Sequence, residues 1–294
     1  MKILITGAGG QLGREWVHYL RESDHEVCAY DSSALDITDS DNIHSVLSDE
    51  KPDLLINCAA YTDVDGAEDN PADAHSINEI GAQNLAHACK RHRVYLVHFS
   101  TDYVFEGSVA DQKKLPRGYD EEYPPSPRNV YGESKRGGEV AIEKFADRWM
   151  IIRVSWLCGR FGNNFIKTML RLSQEKENLR VVDDQTGSPT YCFDAVEKTM
   201  KLVTMNQSGY FHISSKGATS WYELTQEIIR LTSSKTKLEA VSSDEFPMKA
   251  KRPAFSLLNT QKIEELGIEP IGWKKGLERL LSQINKLTHE NSKN

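Results

Sequence analysis

The chain has 294 residues, of which 39% are hydrophobic and 27% charged, and a formal net charge of −7 at pH 7. That length suits one large α/β domain, or one domain carrying a smaller companion. The negative balance argues against a general affinity for nucleic acid, and no apolar run approaches the ~18 residues a membrane span needs.

The first run, "KILIT" (2–6), reads as a strand and meets glycines too early for a signal-peptide core. It is followed by "ITGAGGQLGREW" (5–16), where glycines fall at 7, 9, 10 and 13 between a strand and an amphipathic helix expected over 11–22. In that setting Gly7 permits a tight turn, Gly10 admits a pyrophosphate close to backbone, and Gly13 packs helix on sheet. Gln11 and Leu12 open the helix, whose free N–H groups and positive dipole end face the phosphates.

The second strand, "EVCAY" (26–30), closes on Asp31, 18 residues beyond Gly13, where an acid bonds the adenosine ribose 2′-hydroxyl. That favours NADH, while nearby Arg14 can receive a 2′-phosphate and keeps NADPH open. In "LDITD" (35–39), Asp36 with Ile37 is placed at the adenine edge; Asp36 reads equally as an N-cap for the helix over 40–49, a role Asp39 and Ser40 also suit.

"DLLINC" (53–58) is the third strand, and Ala59, Ala60 and Tyr61 follow it. Small residues at a strand's carboxyl end leave room for a ligand lying across the sheet. A long helix is expected over 72–91, then the strand "VYLVHFS" (94–100), which delivers Ser100 and Thr101 to the edge where doubly wound folds place chemistry.

"VYGESK" (130–135) sets Tyr131 one helical turn before Lys135, within a helix expected over 131–146. A free phenol has a pKa of about 10 and is a poor acid–base catalyst at neutral pH. A cation within ~4–6 Å favours the phenolate, so Lys135 is expected to lower that value and to hold the nicotinamide ribose. A further strand, "WMIIRVSW" (149–156), follows. Continuous apolar strands alternating with helices imply a Rossmann-like, doubly wound parallel sheet covered on both faces.

Beyond residue 160 the regularity fades into the helical patterns "NNFIKTMLRLSQEK" and "SWYELTQEIIRLTSS" and the strand-like "LRVVDD" and "YFHIS". We expect residues 1–160, with returning segments near 190–215, to bind the dinucleotide. Residues 161–294 then form mainly a smaller, partly interleaved α+β lobe for the nucleotide-sugar. The terminal "HENSKN" is polar and expected to fray. Five cysteines (28, 58, 89, 158 and 192) are scattered without a C-x-x-C pair, which fits buried free thiols and a reducing cytoplasm.

Thr6-Gly7, Gly10, Gly13, Ser100-Thr101 and Tyr131 with Lys135 together resemble the extended short-chain dehydrogenase/reductase superfamily. "STDYVFEG", "NVYGESKRGGE", "RVSWLCG", "GNNFIKTML", "VVDDQTGSPT" and "RPAFSLLNTQKIEELGI" narrow the resemblance, over about residues 1 to 285, to the dTDP-4-dehydrorhamnose reductases. The resemblance implies NADPH- or NADH-dependent reduction of the 4-keto group of dTDP-4-dehydro-L-rhamnose, a step toward cell-surface polysaccharide. By matching positions, Tyr131 donates the proton, Lys135 activates it, and Thr101 tunes the transfer. Asp102 and Trp156 contact the sugar, and "DDQTGSPT" encloses the nucleotide-sugar end.

Similar sugar dehydratases carry a glutamate after that aspartate; Tyr103 stands here, so dehydration lacks its catalyst. Cys58 replaces an alanine common in relatives. Some relatives bind Mg²⁺ at a dimer interface. Glu15 matches one of their acids, but "PTYCFDAVE" supplies no clear second, so no metal ligand is assigned, and monomer and homodimer both stay open. The competing readings are a nucleotide-sugar epimerase with the same dyad and a non-catalytic dinucleotide-binding regulatory subunit.

Overall fold

In the computed structural model of the chain, residues 1–291 are described. The first half alternates β1 (Lys2–Thr6), α1 (Gln11–Leu20), β2 (Glu26–Tyr30), α2 (Ser40–Glu50) and β3 (Leu54–Asn57). Then come α3 (Val64–Asp69), α4 (Pro71–His75), a π-helical turn (Ser76–Gly81), α5 (Ala82–His92), β4 (Tyr95–Thr101), α6 (Val109–Lys114), α7 (Val130–Phe145) and β5 (Trp149–Val154). The expected strands and helices lie within a few residues of these bounds. The helix expected over 72–91 is instead α4 and α5 joined through the π turn, because one inserted residue leaves the apolar spacing on either side unchanged.

The second half holds β6 (Leu157–Cys158), α8 (Phe165–Glu175), β7 (Asn178–Val182), β8 (Thr186–Gly187), β9 (Thr190–Tyr191) and α9 (Cys192–Thr204). It continues with β10 (Gly209–His212), β11 (Thr219–Ser220), α10 (Trp221–Thr232), β12 (Lys237–Val241), α11 (Gln261–Glu265) and α12 (Trp273–Asn291). Part of "HENSKN" thus continues α12, and the last three residues lie outside the described ones.

Six strands form one sheet in the order β10-β5-β4-β3-β1-β2, every pair parallel. Parallel strands buried on both faces need unbroken apolar runs, and all seven residues of β4 are buried. On one face Trp16, Leu20, Val196 and Met200 of α1 and α9 pack with Ile3, Ile5 and Ile56; on the other Ile43, Leu85 and Ile142 pack with Leu4, Leu55 and Ile151. The remaining strands pair in twos: β12 with β7, β11 with β8, and β6 with β9. Around them Phe193, Leu224, Ile228 and Leu277 form a separate core. Strand order reverses between β1 and β3, so their carboxyl ends frame the crevice where doubly wound folds bind ligands. Among the described residues no helix is long and apolar enough to cross a membrane.

Candidate active site

The glycine loop turns at that crevice. Gly7 has φ +65°, and a Cβ there would meet the Ala59 nitrogen at 2.5 Å, so β1 and β3 approach as only glycine allows. A Cβ on Gly13 would strike the Gly7 carbonyl oxygen at 2.3 Å. Gly10 caps α1 with no side chain occupying its amides, which leaves the helix N-terminus open toward the crevice. Gln11 donates to the Leu157 carbonyl oxygen at 3.2 Å, and the Leu12 side chain lies in the core, so only their backbone faces the loop.

Asp31 is exposed at the end of β2; its Oδ1 accepts from the Ser33 hydroxyl at 2.6 Å and from the Ser33 and Ala34 amides. The hydroxyl first, then the amides, hold its carboxyl below the usual range. Asp36 is not an N-cap: Asp39 caps α2 by accepting from the Asp41 and Asn42 amides, while Asp36 closes its own turn on Thr38. Ile37 is buried under Gly81. Ala59, Ala60 and Tyr61 line the exit of β3, and the Tyr61 amide is held by Asn78 Oδ1 at 2.9 Å. The π turn carries that asparagine, whose amide also donates to the Ser134 hydroxyl at 2.9 Å and so ties the β3 exit to α7. These cradles and open amides fit a dinucleotide.

Asn129 caps α7, accepting from the Gly132 amide at 2.8 Å. A Cβ on Gly132 would lie 2.3 Å from the Tyr103 carbonyl oxygen, so the glycine between Tyr131 and Lys135 lets α7 start directly against the turn after β4. This brings Tyr131 to Thr101, whose hydroxyl acts to lower the phenol's pKa and in the resting chain donates to Asp102 Oδ1 at 3.0 Å. The Tyr103 ring meets that of Tyr131 edge to face, centroids 5.5 Å apart.

The expected lowering of Tyr131 by Lys135 is absent. Burial pushes the phenol well up and outweighs the Thr101 bond, and Asp102 and Tyr103 push it further. The Lys135 nitrogen points to the Phe99 carbonyl oxygen at 2.6 Å and to His98 Nε2 at 3.2 Å. Burial lowers the Lys135 pKa to about 8. Tyr131 is therefore a neutral phenol in the cofactor-free chain, the state a proton donor requires.

Asp102 is buried, which raises its pKa to about 7 against the lowering influence of the Thr101 hydroxyl, the backbone and Ser256. A carboxyl raised from about 3.8 in the folded state gives stability that is complete below pH 4 and lost as pH climbs to 7. Asp102→Asn, which mimics the neutral form, is expected to raise the urea midpoint at pH 8 and leave it unchanged at pH 4. Equal effects at both pH values would remove the raised carboxyl from the account.

A cavity of about 620 Å³ opens beside Tyr103 and is lined by Phe165, Met169, Gln185, Trp221 and Arg252 among others. Trp156, with φ +46°, stacks on Trp221 at 3.7 Å, and it is Trp221 that faces the cavity. From "DDQTGSPT", Gln185 lines the wall and accepts from Trp221 Nε1 at 3.1 Å. Arg252 binds Asp65 and donates to the Tyr103 hydroxyl at 3.1 Å. No local motif marks Trp221, and Arg252 opens the stretch "RPAFSLLNTQKIEELGI" without being assigned a role from the sequence.

Glu15 does not fit a divalent cation. It is 2% exposed, and both carboxylate oxygens are taken by Arg160, at 2.5 and 3.1 Å. Among the described residues one acidic trio is close enough to share an ion, Glu26, Cys28 and Glu50, and the Lys2 ammonium already bridges its two carboxylates at 2.8 and 2.7 Å.

The model of the RmlD substrate binding domain matches residues 1–286. The chain is 40% identical over 282 residues to the spore coat polysaccharide biosynthesis protein SpsK of Bacillus subtilis, covering 96% of this chain and 97% of that one. It is 38% identical to a dTDP-4-dehydrorhamnose reductase of Aggregatibacter actinomycetemcomitans, with 95% and 98% covered. A crystal structure of dTDP-4-dehydrorhamnose reductase from Bacillus anthracis in complex with NADP superposes with a TM-score of 0.92 at 39% identity, covering 96% of this chain and 99% of that one.

Proposed function

Since the chain belongs to the RmlD substrate binding domain family, we propose that it reduces the 4-keto group of dTDP-4-dehydro-L-rhamnose, using a nicotinamide cofactor, to give dTDP-L-rhamnose. One observation carries this reading: a neutral phenol beside Thr101 packs edge to face on Tyr103, which lines a large aromatic cavity. Residues 1–160, with segments near 190–215, take the dinucleotide; residues 161–294 mainly take the nucleotide-sugar.

The bound cofactor supplies hydride to the carbonyl carbon. The chain's own task is to protonate the oxygen. Tyr131 gives its proton to the developing alkoxide, and burial keeps the phenol loaded until that charge appears. Thr101 stands beside the phenolic oxygen, and its hydroxyl hydrogen turns from Asp102 to steady the charge left there. Asp102, held by Thr101, takes a sugar hydroxyl. Trp221, backed by Trp156, offers a flat aromatic wall to the nucleotide end. Asp31 at the adenosine ribose favours NADH, and Arg14 near the same ribose admits NADPH.

The test mixes purified protein with the keto-sugar nucleotide and either reduced cofactor, with and without EDTA. We expect stoichiometric loss of the reduced-nicotinamide absorbance, unchanged by the chelator because Arg160 occupies Glu15. Product formed without net cofactor loss would mark an epimerase, and no reaction with either cofactor would end the proposal.

A further inference from the structure

Behind the phenol lies a buried chain of hydrogen bonds whose direction is fixed atom by atom. It begins at the Ala59 amide, which donates to Asn57 Oδ1 at 3.1 Å. A backbone N–H is always a donor, so that Asn57 atom is the oxygen and the amide cannot be flipped. The Thr6 hydroxyl gives the same oxygen a second bond at 2.6 Å. Asn57 Nδ2 then donates to His98 Nδ1 at 2.8 Å, which must be the bare ring nitrogen. His98 is 1% exposed, and burial first, then Lys135, hold its pKa well below the usual histidine range. A neutral imidazole with a bare Nδ1 carries its hydrogen on Nε2. That nitrogen lies 3.2 Å from Lys135 Nζ.

An ammonium has three donors and no acceptor, so facing an N–H it gains no bond. An amine offers a lone pair to Nε2–H and still has a hydrogen for the Phe99 carbonyl oxygen at 2.6 Å. We infer that His98 is a positioning residue that presents Nε2–H to Lys135 and so favours, in the cofactor-free protein, the neutral amine pinned against β4 over the ammonium. The other titratable groups acting on Lys135 are Glu139, one turn along α7, and the Cys58 thiol beyond β3, and both oppose this by favouring the charged form. Glu139 is already committed to Arg153 and Arg136. The ammonium near the reacting phenol is then favoured when Lys135 leaves His98 for new acceptors, which couples its charge to a filled cofactor site. This last consequence rests on the reductase reading; the tautomer does not.

Two measurements on the full-length, cofactor-free protein test it. With ¹⁵N-labelled histidine, long-range ¹H–¹⁵N correlation is expected to show His98 with a bare Nδ1 and a protonated Nε2, unchanged between about pH 6 and pH 9. The signal is assigned by its loss in His98→Gln, or in His98→Asn if the first does not fold. With ¹³C-labelled lysine, Lys135 is expected to titrate with a midpoint near 8. An Nδ1–H tautomer, or a Lys135 that stays charged past about pH 10, overturns the inference.

The kinetic arm uses His98→Gln, whose carbonyl accepts from an ammonium. The alkaline limb of kcat/KM is expected to move up by about one pH unit, whereas a merely structural role would lower the rate at every pH and leave the limb in place. A protein that turns over no keto-sugar would end the proposed function while the two spectra still decided the tautomer.

Discussion

Tyr131→Phe loses on the order of 10²- to 10⁴-fold in kcat while cofactor affinity stays that of the native chain. The substitution removes one oxygen and keeps the ring, so the edge-to-face contact with Tyr103 and the start of α7 at Asn129 survive. What is lost is the phenolic proton beside Thr101 that burial keeps in reserve at neutral pH. Because burial raises the phenol instead of ionising it, the native enzyme is expected to show no loss of kcat between pH 6 and 8 from Tyr131 itself. Single-turnover absorbance gives the rate, and quenching of intrinsic fluorescence by the reduced cofactor gives the affinity. A near-normal rate would strike Tyr131 from the mechanism, and an equal loss of cofactor affinity would recast it as a binding residue.

The sequence carried the crevice well because its signals are local. A glycine with φ +65° and another that a carbonyl oxygen would strike leave an unambiguous trace in "GAGGQLG". The dyad was legible by spacing, yet its electrostatics were not. Four residues on a helix set Lys135 near Tyr131, but His98 and Phe99, three and two residues before Thr101, decide where its nitrogen goes. The π turn hid for a similar reason: it preserves apolar spacing while it aims Asn78 at Tyr61 and Ser134. "YFHIS" looked like a strand without saying which sheet it joins, since short apolar runs carry no record of their partners. It pairs with β5 at the edge of the main sheet. Trp221 and Arg252 reach the cavity from segments far along the chain, and only tertiary structure brings them there.

Arg153→Met is expected to lower unfolding stability by about 3–5 kcal/mol, the cost of leaving one member of a buried ion pair alone. "WMIIRVSW" reads as an apolar strand, yet Arg153 is 1% exposed and Glu139 is 0% exposed. The guanidinium donates from Nε and Nη2 to the two carboxylate oxygens, both at 2.9 Å, and stacks over Tyr210 at 4.5 Å and Phe105 at 5.0 Å. Burial pushes the Glu139 carboxyl up, but the Arg153 bonds and charge more than offset it, so its pKa lies below the usual carboxylate range. In the variant, Arg136 still holds Oε2 at 2.9 Å, while Oε1 loses its partner. Adding Glu139→Leu removes the stranded charge, so the double variant is expected to recover part of the loss even though it lacks both partners. Urea unfolding of the two single variants and the double variant measures this coupling. A single variant within about 1 kcal/mol of the native chain would show that water reaches the pair. A double variant less stable than either single would show that the aromatic stacking, not the charge, is what Arg153 contributes.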